Sequence, residues 1–197
     1  MVGVRQFDED VVLEQALALF WRQGYGATSM AELSQATGVQ RGSLYNAYGS
    51  KEALFLLAYE RYAARFEASV RTALAEPDTK TLLQALFEAG IENMTAGSDP
   101  RGCLTTRVAT EAPTVEAAVR DRVAAFLLRI EALIAEALSR PEHRDRLAVP
   151  PEDAARVILT MTRGLAVMQS VHGDAAVLRA TASQQVGLLL VDRAEEG

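Results

Sequence analysis

Apolar residues recur along most of this chain at three- and four-residue intervals, and no stretch combines strict alternation with β-branched or aromatic enrichment over the length of a strand. The pattern predicts an all-α fold. A first helix follows the acidic run Asp8-Glu9-Asp10, carries Leu13, Ala16, Leu17 and Phe20 on one stripe, and stops at Gly24. Ser29-Met30-Ala31-Glu32 has the spacing of a capping box, so a second helix is expected from Ser29 through Leu33 to about Thr37, where Gly38 turns the chain. Gln40 to about Ala47 reads as a third helix. Gly49 then stops it, and Ser50 caps a fourth that continues past Phe55, Tyr59, Tyr62 and Phe66 toward Glu76.

Pro77-Asp78 interrupts the periodicity, and Leu82, Leu83, Leu86, Phe87, Gly90, Ile91 and Met94 mark a fifth helix. A loop is expected over Thr95–Gly102 and a short apolar element over Cys103–Ala109. Pro113-Thr114 is read as the opening of a long helix that buries Val115, Val119, Val123, Phe126, Ile130, Ile134 and Leu138. After a polar turn at Pro141–Arg146 come two more helices, Pro151 to about Ser170 and Ala175 to about Asp192, making about nine in all. Both are apolar on more than one face. A second buried surface on such helices is most simply a partner subunit.

Composition narrows the class. A hydrophobic fraction of 49% with 23% charged residues, six Pro and 13 Gly is that of a folded globular chain with few linkers. No apolar run approaches the roughly 20 residues that a membrane span needs. The N-terminal segment has no apolar core of a secretory signal, so a cytoplasmic location is expected. One cysteine, Cys103, fits a reducing compartment and excludes an intrachain disulfide. His143 and His172 are the only histidines, too few and too far apart for a metal site, and no cofactor motif or catalytic grouping occurs. The net charge of −6 opposes indiscriminate polyanion binding. Residues 1–52 share the imbalance, with four basic against six acidic residues.

Two short helices meeting at Gly38, the second exposing polar side chains, are what a helix-turn-helix requires: one helix braces on the phosphate backbone while the next enters the major groove. Gln40, Arg41, Ser43 and Asn46 are the candidate base readers, because Arg pairs bidentately with guanine and Asn or Gln with adenine. Gly42 and Ser43 are small enough for close approach, and Tyr45, Tyr48 and Lys51 are placed to contact the DNA backbone. The run Phe20, Gly24-Tyr25, Thr28-Ser29-Met30, Leu33, Gly38-Val39, Gly42-Ser43-Leu44-Tyr45-Asn46-Ala47-Tyr48, Ser50-Lys51-Glu52 and Leu54 resembles the DNA-binding signature of the TetR/AcrR family of bacterial repressors. Ser34 departs from it, where the family often has Ala, and Tyr48 stands where Phe is common.

That resemblance implies a three-helix DNA-binding domain over residues 1–52 and a helical effector and dimerisation domain over residues 53–197. It implies phosphate contacts from Thr28 and Ser29, a minor-groove role for Arg5 against the plainer alternative of a solvated side chain, and a homodimer on palindromic double-stranded operator DNA. Ile158, Thr162, Leu165, Val186 and Leu189 are the candidate dimer contacts. Phe87, Ile91, Met94, Cys103, Phe126, Ile130, Met161, Leu165 and Met168 are candidates to line a pocket for an unidentified small-molecule effector, though the same spacing suits a packed core. Cys103 follows Pro100-Arg101-Gly102 in a turn similar to one found in a branch of the family; it reads either as a redox or electrophile sensor beside Arg101 or as a small buried hydrophobe. The competing overall reading is a helical interaction module that has kept this fold and lost DNA binding.

Overall fold

A computed structural model describes residues 7–96, 102–111 and 113–191. Arg5, residues 97–101 of the expected loop, with Arg101 among them, and the chain beyond Val191 lie outside the described residues. Among those described, ten helices follow in order: α1 (Glu9–Gln23), α2 (Met30–Thr37), α3 (Arg41–Tyr48), α4 (Lys51–Ala73), α5 (Thr79–Thr95), α6 (Leu104–Thr110), α7 (Ala117–Leu138), α8 (Pro141–Arg144), α9 (Pro151–His172) and α10 (Ala175–Leu189). The only pairing of extended backbone among them is an isolated antiparallel bridge between Leu147 and Leu190. No described helix is long and apolar enough to cross a membrane.

Two compact units form. One gathers residues up to Ala64 with Leu104–Ala124, and the other takes Arg65–Cys103 with the chain from Ala125 onward. Helices α4 and α7 each contribute to both units, and α6 comes back to pack beside α1.

In the first unit, local chemistry sets the helix ends. The Asp8 carboxylate accepts from the N–H groups of Asp10 and Val11 at 2.9 and 3.3 Å, starting α1. Ser29 Oγ accepts from Glu32 N, while Glu32 Oε2 accepts from Ser29 N at 2.8 Å, completing the capping box of α2. The core beneath is aromatic. The Phe20 ring meets Phe55 edge-on at 5.1 Å, Tyr25 meets the same ring at 4.9 Å, and Tyr59 stacks on it at 5.5 Å.

In the second unit, α5 packs against α9 and α10. Gly90 lets α9 approach closely: a side chain there would begin 3.4 Å from the Thr162 methyl. On α9 the buried residues include Ala155, Ile158, Thr162, Leu165 and Ala166, and on α10 Leu178, Ala182, Val186 and Leu189. This corrects the expected dimer contacts. Ile158, Thr162, Leu165, Val186 and Leu189 are all buried against their own chain, so they belong to its core. The exposed apolar stripe is a different one: Val157, Val167, Met168 and Val171 on α9, with Val177 and Leu188 on α10. Leu188 is 73% exposed and Val171 68%.

Three boundaries differ from the sequence pattern. Pro113 and Thr114 form a turn closed by the Glu111 carbonyl, which accepts from Thr114 N and Oγ1 at 2.9 Å each, so α7 begins only at Ala117. Pro141–Arg144 is one helical turn instead of irregular chain, which makes the tenth helix. And α10 ends at Leu189 because the backbone beyond it turns to the segment before α9: Ala148 N donates to Leu189 O and Val191 N to Arg146 O at 2.9 and 3.0 Å.

Glu67 on α4 is held between two guanidinium groups of its own unit, Arg129 at 2.6 and 2.8 Å and Arg71 at 2.8 and 3.0 Å. The hydrogen bonds from Arg129 lead in holding its carboxyl down, from an ordinary 4.5 to about 2. A depressed carboxylate adds stability that is complete above the unfolded-state value and fades as pH falls toward the folded one. Between pH 5 and pH 2.5 the wild type should therefore lose about 1–2 kcal/mol that a Glu67→Gln variant never had, allowing for solvent screening. Urea unfolding of both proteins across that range measures the difference, which should narrow as the pH is lowered.

Candidate nucleic-acid interface

Helices α2 and α3 meet at Gly38, whose φ of 65° and ψ of 7° lie in the left-handed region that a side chain resists. Hydroxyl groups brace this turn. Ser34 Oγ donates to Val39 O at 2.6 Å, and Thr37 Oγ1 donates to Leu33 O at 2.7 Å while accepting from Val39 N. Ser34 is one of the two positions that depart from the family pattern, and its hydroxyl adds a hydrogen bond that an alanine would lack. Sequence reading had no reason to give Ser34 or Thr37 this task, because neither is a capping position.

Helix α3 divides cleanly by face. Leu44 is fully buried and Tyr48 7% exposed, whereas Gln40, Arg41, Gly42, Tyr45 and Asn46 are open to solvent and Ser43 is half-buried. At 3.6 residues per turn, positions 42, 45 and 46 share one side of the helix and 44 and 48 another, while Arg41, in line with 44 and 48, is exposed at the helix's first turn. The Arg41 guanidinium lies 5.6 Å from the Tyr45 ring, which keeps the cation on the exposed face. Around Gly42 an added Cβ would meet nothing within 4 Å, so nothing inside the chain requires a glycine there.

The remaining candidates are placed differently. Ser29 is exposed at the start of α2, with its Oγ shared between Glu32 N and Glu32 Oε2. Thr28 is 2% exposed and its hydroxyl donates to Gly24 O at 2.6 Å, which corrects the expectation that this side chain reaches a phosphate. The Lys51 ammonium donates to Tyr25 O at 3.0 Å and lies 4.2 Å from the centre of the Tyr25 ring. Lys51 thus holds the α1–α2 corner and supports the exposed face from below. Burial, with the carboxylates of Glu116 and Glu52 adding to it, pushes the Tyr25 phenol above its ordinary value, so it stays neutral.

The same corner is held from α6. Arg107 Nη1 donates to Arg22 O at 2.8 Å, and Glu111 Oε2 accepts from Gly26 N at 2.7 Å. Gly24 makes room for this grip: with φ at 91°, a Cβ on it would stand 2.1 Å from Glu111 Oε1. The distance of 85 residues along the chain hid both contacts from the sequence.

In the second unit the pocket candidates scatter. Phe87 and Ile91 line a cleft of about 330 Å³ between α5 and α10. Met94, Cys103, Phe126, Ile130 and Leu165 are buried, Met161 is half-buried and Met168 lies exposed on the outer stripe. Cys103 is 5% exposed, and its Sγ accepts from Arg163 Nη1 at 3.3 Å. Arg163 is the partner that sequence proximity, which pointed to Arg101, did not disclose.

A tripartite corner of short helices that exposes one polar face, attached to a larger helical unit, defines a helix-turn-helix protein of the two-unit all-helical kind. Residues 12–58 match the model of bacterial regulatory proteins of the tetR family, and residues 79–184 match the tetracyclin repressor-like C-terminal domain. The chain belongs to the tetR family. It is 38% identical over 99 residues to the HTH-type transcriptional repressor ComR of Escherichia coli, covering 49% of this chain and 47% of that protein. It is 32% identical over 108 residues to the HTH-type regulator YezE of Bacillus subtilis, covering 54% and 56%. The chain thus matches about half the length of these curated relatives. Among solved structures, a cysteine-substituted TetR-family regulator CifR bound to 26-base-pair operator DNA superposes with a TM-score of 0.84 at 28% identity, over 95% of this chain and 99% of that one. Reduced NemR of Escherichia coli shares the fold, with a TM-score of 0.81 at 20% identity over 94% and 97%.

Proposed function

We propose that this protein is a sequence-selective transcriptional repressor that binds a palindromic operator as a homodimer and releases it when its second unit receives a chemical signal. The observation that carries the reading is the exposed face of α3, where Gln40, Arg41, Gly42, Tyr45 and Asn46 stand free of the fold while Leu44 and Tyr48 anchor the helix. Base-edge readers need that freedom. CifR, which resembles this chain over nearly its whole length, was solved on operator DNA. The net charge of −6 weakens non-specific attraction to phosphate, so base contacts must supply the selectivity and background binding should be low.

A second copy covers the outer stripe of α9 and α10. Val157, Val167, Met168 and Val171 run down α9 at helical spacing, Gly164 lies open among them, and Val177 and Leu188 continue the surface on α10. Exposed apolar side chains in such a continuous stripe favour association. A two-fold dimer would present two recognition helices about 34–36 Å apart, one turn of the duplex, or at a related spacing.

The signal is read at Cys103 in this proposal. Arg163 Nη1 donates to the Cys103 sulfur at 3.3 Å, and a cysteine thiol can be modified by electrophiles and oxidants. Cys103 immediately precedes α6, and Arg107 on that helix with Glu111 just after it grip the α1–α2 corner. Covalent continuity therefore links the thiol to the segment that positions the recognition helix.

Selection of binding sites from a random duplex library should return an inverted repeat. An unenriched pool would favour an interaction module instead. On the selected duplex, Arg41→Ala should weaken binding tenfold or more, in line with about 1–3 kcal/mol for a bidentate base contact. Gly42→Leu should do likewise without lowering the melting temperature, since the space around it is empty. Leu188→Glu with Val171→Glu should convert the dimer to monomer in analytical ultracentrifugation. Finally, N-ethylmaleimide should release the duplex from wild-type protein and leave the Cys103→Ser complex intact; equal release from both would remove Cys103 as the sensor.

A further inference from the structure

Helices α2 and α3 carry one basic side chain between them, Arg41. Several other cations of the first unit serve the fold itself. Arg61 pairs with Asp10 and Arg122 with Glu60, while Arg107 and Lys51 donate to the carbonyls of Arg22 and Tyr25. Among the described residues no carboxylate pairs with Arg41, and its contact is the ring of Tyr45, whose centre lies 5.6 Å from the guanidinium carbon. Four residues apart on one helix, the two side chains are neighbours by the helical repeat. Tyr45 is 39% exposed, so the core does not hold its ring. Gly42 beside them leaves the flank of the pair clear, with nothing within 4 Å of an added Cβ.

We propose that Tyr45 is a positioning residue for base recognition: its ring holds the Arg41 guanidinium on the exposed face of α3, so that selectivity for one guanine in each half-site depends on Tyr45 as well as on Arg41. The inference rests on the repressor reading and replaces the DNA-backbone contact expected of Tyr45 from the sequence. A free arginine at a helix start has many rotamers, and beside a duplex several of them lead to a phosphate oxygen, which carries no sequence information. A ring beneath the guanidinium narrows that set before DNA arrives, so less freedom is lost on pairing with a base.

The two interactions are compatible because they use different parts of one group. The attraction to an aromatic ring acts through the flat face of the guanidinium, whereas its N–H donors lie in the plane and can reach the O6 and N7 atoms of guanine. With no carboxylate on it, that donor edge stays open. The two tasks open to Tyr45 leave different traces. A hydroxyl bonded to phosphate strengthens binding alike on every sequence. A ring acting through Arg41 strengthens it only where Arg41 meets its guanine.

Anisotropy titrations of the full-length protein test this on the library-selected duplex, with each guanine–cytosine pair exchanged in turn, in both half-sites, for adenine–thymine. Arg41→Ala marks the pair concerned: its exchange should cost wild type about tenfold or more and this variant less than about twofold. At that pair Tyr45→Leu and Tyr45→Gln, which remove the ring from an exposed position, should each lose at least about threefold of the preference. Their preferences at the other pairs should stay within about twofold of wild type, and their melting temperatures should not fall. Tyr45→Phe keeps the ring, drops the hydroxyl and should retain the preference in full. The proposal is overturned if the ring-free variants weaken every duplex alike, if they leave the preference at the Arg41 pair unchanged, if Tyr45→Phe behaves as they do, or if no pair responds to Arg41→Ala. A library without an enriched duplex would remove the repressor reading, and this inference with it.

Discussion

Helix α3 is only eight residues long, too short to be stable by its own hydrogen bonds, so it exists because Leu44 and Tyr48 are drawn into the core of the first unit. That burial dictates which side of the helix remains in water. Once Leu44 and Tyr48 point inward, the helical repeat turns Gly42, Tyr45 and Asn46 outward, and Arg41 is exposed at the open first turn of the helix. The aromatic cluster of Phe20, Tyr25 and Phe55 provides the rigid bed, and Lys51 secures Tyr25 through both its carbonyl and its ring.

Support for that face comes from residues that never reach its surface. Thr28 and Lys51 turn their polar atoms to backbone carbonyls of the α1–α2 corner, and α6 holds the same corner through Arg107 and Glu111. A corner tied at several points by charge-assisted hydrogen bonds can transmit a shift of α6 to the helices it joins, because packed elements move as bodies and do not deform continuously.

Local rules made much of the fold legible. Asp8, the Ser29–Glu32 box and Gly38 each set a boundary within a residue or two of the chain, and their effects appear where sequence periodicity put them. Boundaries that rest on distant partners were not legible. Pro113 looks like a helix start until Thr114 closes a turn on Glu111, and α10 looks three residues longer than it is until Leu190 pairs with Leu147. The inner and outer faces of α9 and α10 were exchanged for the same reason: Ile158, Thr162, Leu165, Val186 and Leu189 and the outer valines are both apolar stripes, and hydrophobicity does not say which one meets α5.

From sequence alone came the all-helical class, the helix-turn-helix and the identity of the side chains on its exposed face, because capping, glycine turns and the 3.6-residue repeat act over a few positions. Tertiary structure decided which apolar stripe is core, that Arg163 meets Cys103, that Glu111 grips Gly26, and that α5 and α10 leave a cleft between them. These depend on which surfaces meet when the helices pack. Residues 60 or more positions apart are brought together by the summed burial of many side chains, and no short stretch of chain carries that information.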